Sequence, residues 1–125
     1  MVESKSTNQN YTCVTSISGF SIISDTGIDK GGNGQGIRPH DLLVMAFASC
    51  LNITARMICD KLNIPYKSIT TKVDLVRENT KTTFNYKFEF DKSVSKFQID
   101  SIMKLLNSCP VQKTLSVPIE FNELK

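Results

Sequence analysis

The chain has 125 residues, 40% of them hydrophobic and 22% charged, with a formal net charge of +3. That is one domain of ordinary size, able to form a core but small enough to gain from further burial against a partner. Acids and bases are interspersed, with no basic stripe and no RNP-like or finger-like motif, which excludes nucleic acid as a partner class.

Residues 1–10, MVESKSTNQN, are polar and contain no apolar h-region. They read as a flexible leader and not a secretory signal, so residues 11–125 are expected as a single cytoplasmic domain. Tyr11 to Ile17 and Phe20 to Ser24 carry β-branched residues around Ser18-Gly19, the pattern of a short hairpin. The stretch from Asp25 to Gly36 holds the closely spaced Gly31, Gly32, Gly34 and Gly36. GGNGQG fits neither phosphate-binding glycine pattern, so this is expected as a mobile loop leading into a helix.

Pro39 suits the first helical position and Asp41 complements the helix dipole. The helix is expected to run to about Leu62, stopped by Asn63 and Pro65. Its longest apolar run, about Leu42 to Leu51, is too short to span a bilayer. That run is apolar almost all round, so it is expected to be buried on every side, with a second copy of the same helix as the simplest cover. Two strands follow. Ile69, Val73 and Leu75 share one face of the first; Phe84, Tyr86, Phe88 and Phe90 share one face of the second, and Glu78 to Lys81 link them. Ser95 and Gln98 form a capping box, with Val94 and Ile99 as its staple. That helix is expected to reach about Ser108, with Ile102, Met103, Leu105 and Leu106 toward the core, before Cys109-Pro110 ends it. Val117, Ile119 and Phe121 alternate in a last strand, about Leu115 to Asn122. The order is β-β-α-β-β-α-β and the class α+β.

The cysteines are Cys13, Cys50, Cys59 and Cys109. With no CxxC pair and His40 the only histidine, no metal site is expected, and in the cytoplasm the thiols are free or redox-active. Cys59 follows Cys50 by nine residues, about half a revolution of helix, so the two face opposite ways. Cys59 and Cys13 read as core or edge residues. Cys109, fixed between a helix end and a proline, leaves two readings open: a partner for Cys50, or a separate buried thiol.

Two segments resemble the OsmC/Ohr family. Pro39, Asp41-Leu42-Leu43 and Ala48-Ser49-Cys50 match its pattern of proline, acid, aliphatics, small residues and cysteine. Cys109-Pro110-Val111 with Lys113-Thr114-Leu115 resembles the C-P-V-x-K-[ST]-L segment of the OsmC-like branch. The resemblance implies an intertwined homodimer with a buried central helix wrapped by antiparallel sheet. It implies a thiol peroxidase acting in the oxidative stress response on organic hydroperoxides. Cys50 would then be the peroxidatic cysteine and Cys109 the resolving one, with a dithiol such as a dihydrolipoyl group as reductant and no bound cofactor or metal. The alternative is an OsmC-like redox-sensing or ligand-binding dimer without efficient turnover. The family's peroxidases use an N-terminal arginine held by a glutamate ten residues before the cysteine. Here that position is His40, Asp41 follows it, and no arginine precedes Arg38. Arg38, His40 and Asp41, with Lys30, are therefore the candidate supporting groups. Ten residues of helix span about 15 Å, which sets His40 and Asp41 beyond reach of Cys50 in their own chain.

Overall fold

A computed structural model describes residues 1–125. The chain divides into two compact units, Met1–Leu43 and Val44–Lys125.

The first unit is built on a three-stranded antiparallel sheet of β1 (Glu3–Ser6), β2 (Cys13–Ile17) and β3 (Phe20–Ser24), in that order. The β2–β3 hairpin closes with Ile17 opposite Phe20, and Ser18 and Gly19 both take positive φ (50° and 84°). That is the two-residue turn whose twist suits paired strands. Glu3–Ser6 lies within the stretch read as a flexible leader, yet it pairs along β2 from Glu3 opposite Ser16 to Ser6 opposite Cys13. All four β1 residues are exposed, so no alternation of apolar side chains announces the strand.

The glycine-rich segment after β3 is pinned, contrary to the mobile loop expected. Asp25, only 2% exposed, accepts hydrogen bonds from the backbone N–H groups of Thr26 (2.7 Å), Asn33 (3.1 Å) and Gln35 (3.2 Å). Ile37 then donates to Ile23 at 2.9 Å and accepts from Asp25 at 3.1 Å. A Cβ on Gly32 would collide with the Thr26 carbonyl, and one on Gly36 would stand 2.8 Å from the Ile23 carbonyl. These two glycines are there because backbone passes over backbone.

Helix α1 (Pro39–Lys61) begins at Pro39 as expected. It ends in a Schellman arrangement: Asn63 takes φ 54°, Asn63 donates to Asp60 and Ile64 donates to Cys59 at 2.8 Å. Its buried residues, Phe47, Leu51, Thr54, Ala55, Ile58 and Cys59, recur every three or four positions. Met45, Ile53 and Met57 are exposed, so within one chain the helix is covered on one face and not all round. Over 23 residues, with a window of mean hydropathy 1.8, it is long and apolar enough to cross a membrane by length and composition alone. The run to Leu51 understated this, because Ile53, Ala55, Met57 and Ile58 carry the apolar character on past Asn52 and Thr54.

In the second unit β4 (Ile69–Arg77) pairs antiparallel with β5 (Thr82–Phe90), Arg77 facing Thr82 across the Glu78–Lys81 link. The aromatic face of this ribbon packs on the buried face of α1, with Phe47 edge-on to Phe84 at 5.3 Å and to Tyr86 at 5.8 Å. Asn52 fastens the helix to β4 by donating to the Ile69 carbonyl (2.9 Å) and Thr71 Oγ1 (3.2 Å). Asp91 ties the two ends of the ribbon, accepting from the N–H groups of Lys67, Ser68 and Ser93 and from the Ser93 hydroxyl.

Helix α2 (Lys96–Met103) starts with the expected capping box: Ser95 and Gln98 bond each other's backbone N–H. It is shorter than expected, giving way to a turn and the short 3-10 segment Leu106–Ser108. Ile102 and Leu106 are buried, but Met103 and Leu105 are exposed, because the change of helical pitch turns them away from the core. The largest departure comes last. In place of a strand over Leu115 to Asn122, the chain forms α3 (Pro110–Leu115), and residues 116–125 have no regular structure. Pro110 starts the helix, Ser116 closes it through its N–H and its hydroxyl, and Pro118 cannot donate to a ladder. The α+β class stands, with one strand added at the start, a short helix after Cys109, and no strand where the final one was expected.

Candidate functional site

Cys50 sits midway along α1 and Cys109 immediately precedes α3. The second unit brings their sulfurs to 3.0 Å, with the Cys109 thiol donating to Cys50 Sγ. No disulfide joins them. Cys109 is fully buried with Phe47 and Leu51, while Cys50 is half-buried at the edge of the same cluster, beside Val73, Phe84, Phe88 and Val111. Of the two readings that the sequence left open, the paired one describes the structure.

The two thiols differ in character. Burial pushes the Cys50 thiol up, but the Cys109 thiol, and after it the Val111 N–H and the Thr54 hydroxyl, favour the anion and together hold it below the ordinary thiol range. Cys109 is pushed up, first by burial and then by its own bond to Cys50. Of the two, Cys50 is the one that ionises more readily, and Cys109 holds its proton more firmly. Every group that stabilises the Cys50 thiolate is an uncharged dipole.

Thr54 and Val111 were not singled out from the sequence. Thr54 stands four residues after Cys50, which puts the two on one helix face. Val111 has its N–H free because it lies in the first turn of α3, where no carbonyl within the helix accepts it. Spacing signalled the first; the second depended on a helix that the residues had suggested was a loop and strand.

Arg38, His40 and Asp41 lie in the first unit, and all three are exposed. Lys30 is also exposed there. Cys59 is fully buried with Ala55, Ile58 and Ile64, as expected of a core thiol, and burial pushes it up. No cluster of three metal-ligating side chains is present.

The second unit holds a cleft of about 340 Å³, whose lining includes neither cysteine of the pair. Thr54 and Pro110, the neighbours of Cys50 and Cys109, line one part; Met57, Ile58 and Leu105 make it mainly apolar, and Lys61 stands in its wall.

Comparison with known proteins places this arrangement in context. The fold is similar to that of a protein from Psychrobacter arcticus assigned to the osmotic stress and detoxification response, at 19% identity and TM-score 0.76, covering 90% of this chain and 85% of that one. It is similar to the OsmC-like protein of Mycoplasma pneumoniae, at 16% identity and TM-score 0.72, over 92% and 85% of the two chains. The organic hydroperoxide resistance protein OhrB of Bacillus subtilis superposes with TM-score 0.68 at 13% identity, over 93% and 89%. No curated protein matches the sequence. The family model described as OsmC-like protein matches residues 32–123, a span that includes both cysteines of the pair. The chain belongs to the OsmC-like protein family.

Proposed function

We propose that the chain is a thiol-dependent peroxidase that reduces organic hydroperoxides. The observation that supports it most is the 3.0 Å approach of Cys109 to Cys50, with the Cys109 thiol as the donor. The Cys50 thiolate attacks the distal peroxide oxygen. The O–O bond breaks, the alkoxide leaves and takes up a proton as alcohol, and Cys50 becomes a sulfenic acid. Cys109 sulfur then attacks Cys50 sulfur; the S–S bond forms and water leaves. A dithiol reductant such as a dihydrolipoyl group restores both thiols by two exchanges and is itself oxidised to a disulfide. The apolar cleft at Thr54 and Pro110 favours alkyl hydroperoxides over hydrogen peroxide. A homodimer in the cytoplasm fits this reading, since Met45, Ile53 and Met57 of α1 and Val117, Ile119 and Phe121 of the C-terminal segment are apolar and exposed in one chain.

Steady-state turnover of cumene hydroperoxide with dihydrolipoamide tests the proposal. Consumption that disappears in Cys50→Ser supports it; none in the wild type removes it. Sedimentation of the same protein reads the dimer.

One observation favours a second reading, a redox-sensing or ligand-binding dimer without efficient turnover. Only neutral groups lower the Cys50 thiol, and Arg38, His40 and Asp41 are exposed. A disulfide that forms and reduces reversibly, without peroxide turnover, is its signature.

A further inference from the structure

A third thiol, in the first unit, has surroundings of its own. On β2, Cys13 and Thr15 share one face, and Cys13 Sγ lies 3.9 Å from Thr15 Oγ1. Thr15 in turn donates to Ser4 Oγ on β1 at 3.0 Å. On the other side, Ser24 of β3 stands directly opposite Cys13 in the ladder. Ser24 is 3% exposed, and its hydroxyl has no hydrogen-bond partner. An unpaired buried hydroxyl is unfavourable, and it turns favourable once an anionic sulfur beside it accepts its hydrogen.

Three strands therefore set three hydroxyls around one half-buried sulfur: Thr15 in contact with it, Ser4 bonded to Thr15, and Ser24 unpaired on the opposite strand. Ser4 most of all, then Thr15, holds the Cys13 thiol below its ordinary range; burial, and more weakly the Asp25 carboxylate, oppose this, and Ser24 adds to the lowering. Glu3 and Lys5 face Ser16 and Val14, and so point to the other side of the sheet. Cys13 is the only cysteine of residues 1–43. An adduct formed there has no neighbouring thiol in its unit to displace it.

We propose that Cys13 is a modification site for low-molecular-weight polar disulfides, separate from the Cys50–Cys109 pair. The Cys13 thiol releases its proton to solvent, and the thiolate attacks one sulfur of the disulfide. A Cys13–S bond forms as the S–S bond of the reagent breaks, and the second half leaves as a thiolate with the electron pair. Cys13 is left in a mixed disulfide, and an excess of the free small thiol reverses the step.

The test uses the full chain with glutathione disulfide as probe, peptide mapping to assign each adduct, and rates followed across pH. A synthetic peptide spanning residues 11–17 is the reference. The expected result is one glutathionyl group on Cys13, a rate midpoint at lower pH than in the peptide, and a rate at pH 7 roughly threefold above it. The gain is modest because a more acidic thiol is also a weaker nucleophile. Ser24→Ala, which loses no existing bond, moves the midpoint back toward the peptide, as does Ser4→Ala. The proposal is overturned if Cys13 stays unmodified in the folded chain, if its midpoint equals that of the peptide, or if neither serine variant moves it.

Discussion

The Cys109 thiol donates to the Cys50 sulfur across 3.0 Å, and this one contact pulls the two thiols apart in acidity, lowering Cys50 and raising Cys109. A disulfide needs the sulfurs about 1 Å closer, at roughly 2.0 Å. The assignment also has a direction in pH. Cys50 is held below the ordinary thiol range, so its reactive form is present below the pH at which a free cysteine ionises, and Cys109 stays protonated there.

Alkylation by iodoacetamide reads that order. Cys50 is expected to be labelled first, with a rate that rises as pH passes through its depressed ionisation. Cys109→Ala removes a donor to the thiolate, and labelling of Cys50 at pH 7 should slow by about tenfold, the worth of one hydrogen bond to a charged group. Equal labelling of Cys50 in wild type and variant contradicts the sharing of a proton.

Thr54→Val keeps the side-chain shape and deletes the hydroxyl directed at Cys50. The fold should persist, because Thr54 is buried and lines a cleft with the apolar Met57, Ile58, Leu105 and Pro110, where a methyl is accepted in place of the hydroxyl. Iodoacetamide labelling of Cys50 at neutral pH should fall by about three- to tenfold, as loss of about 1 kcal/mol predicts. A changed melting temperature with unchanged labelling would assign Thr54 to packing alone.

Asp25 anchors the loop before α1. Its burial raises the carboxyl, but the N–H groups of Gln35, Thr26 and Asn33 outweigh this and hold it below the usual carboxylate range. A depressed folded value means the stabilisation is present above the unfolded ionisation near pH 3.9 and is lost as pH falls through the folded one. Urea denaturation should therefore show Asp25→Asn clearly weaker than wild type at pH 7, with the two converging toward acid. Gly32→Ala, whose Cβ meets the Thr26 carbonyl, should cost about 1–3 kcal/mol at either pH.

Much of this was legible in the residues. The β2–β3 hairpin, the β4–β5 ribbon, the start of α1 and the Ser95 capping box each carry a local signal, either an alternation or a cap, and each was found where that signal stood. The failures are non-local. The polar strand Glu3–Ser6 exists because β2 offers it an edge, which nothing in its own side chains announces. Val117, Ile119 and Phe121 alternate like a strand, but no strand in the chain pairs with them. The site followed the same rule. Cys50 and Cys109 were visible as two motifs, whereas the Val111 N–H became visible only with α3.

The central claim is that Cys50 is oxidised by peroxide and Cys109 resolves it. Mass spectrometry after one equivalent of cumene hydroperoxide, on wild type and on Cys109→Ser, tests it most directly. The account predicts a Cys50–Cys109 disulfide in the wild type and a Cys50 sulfenic acid that can be trapped in the variant. Both thiols remaining reduced under native conditions would contradict it.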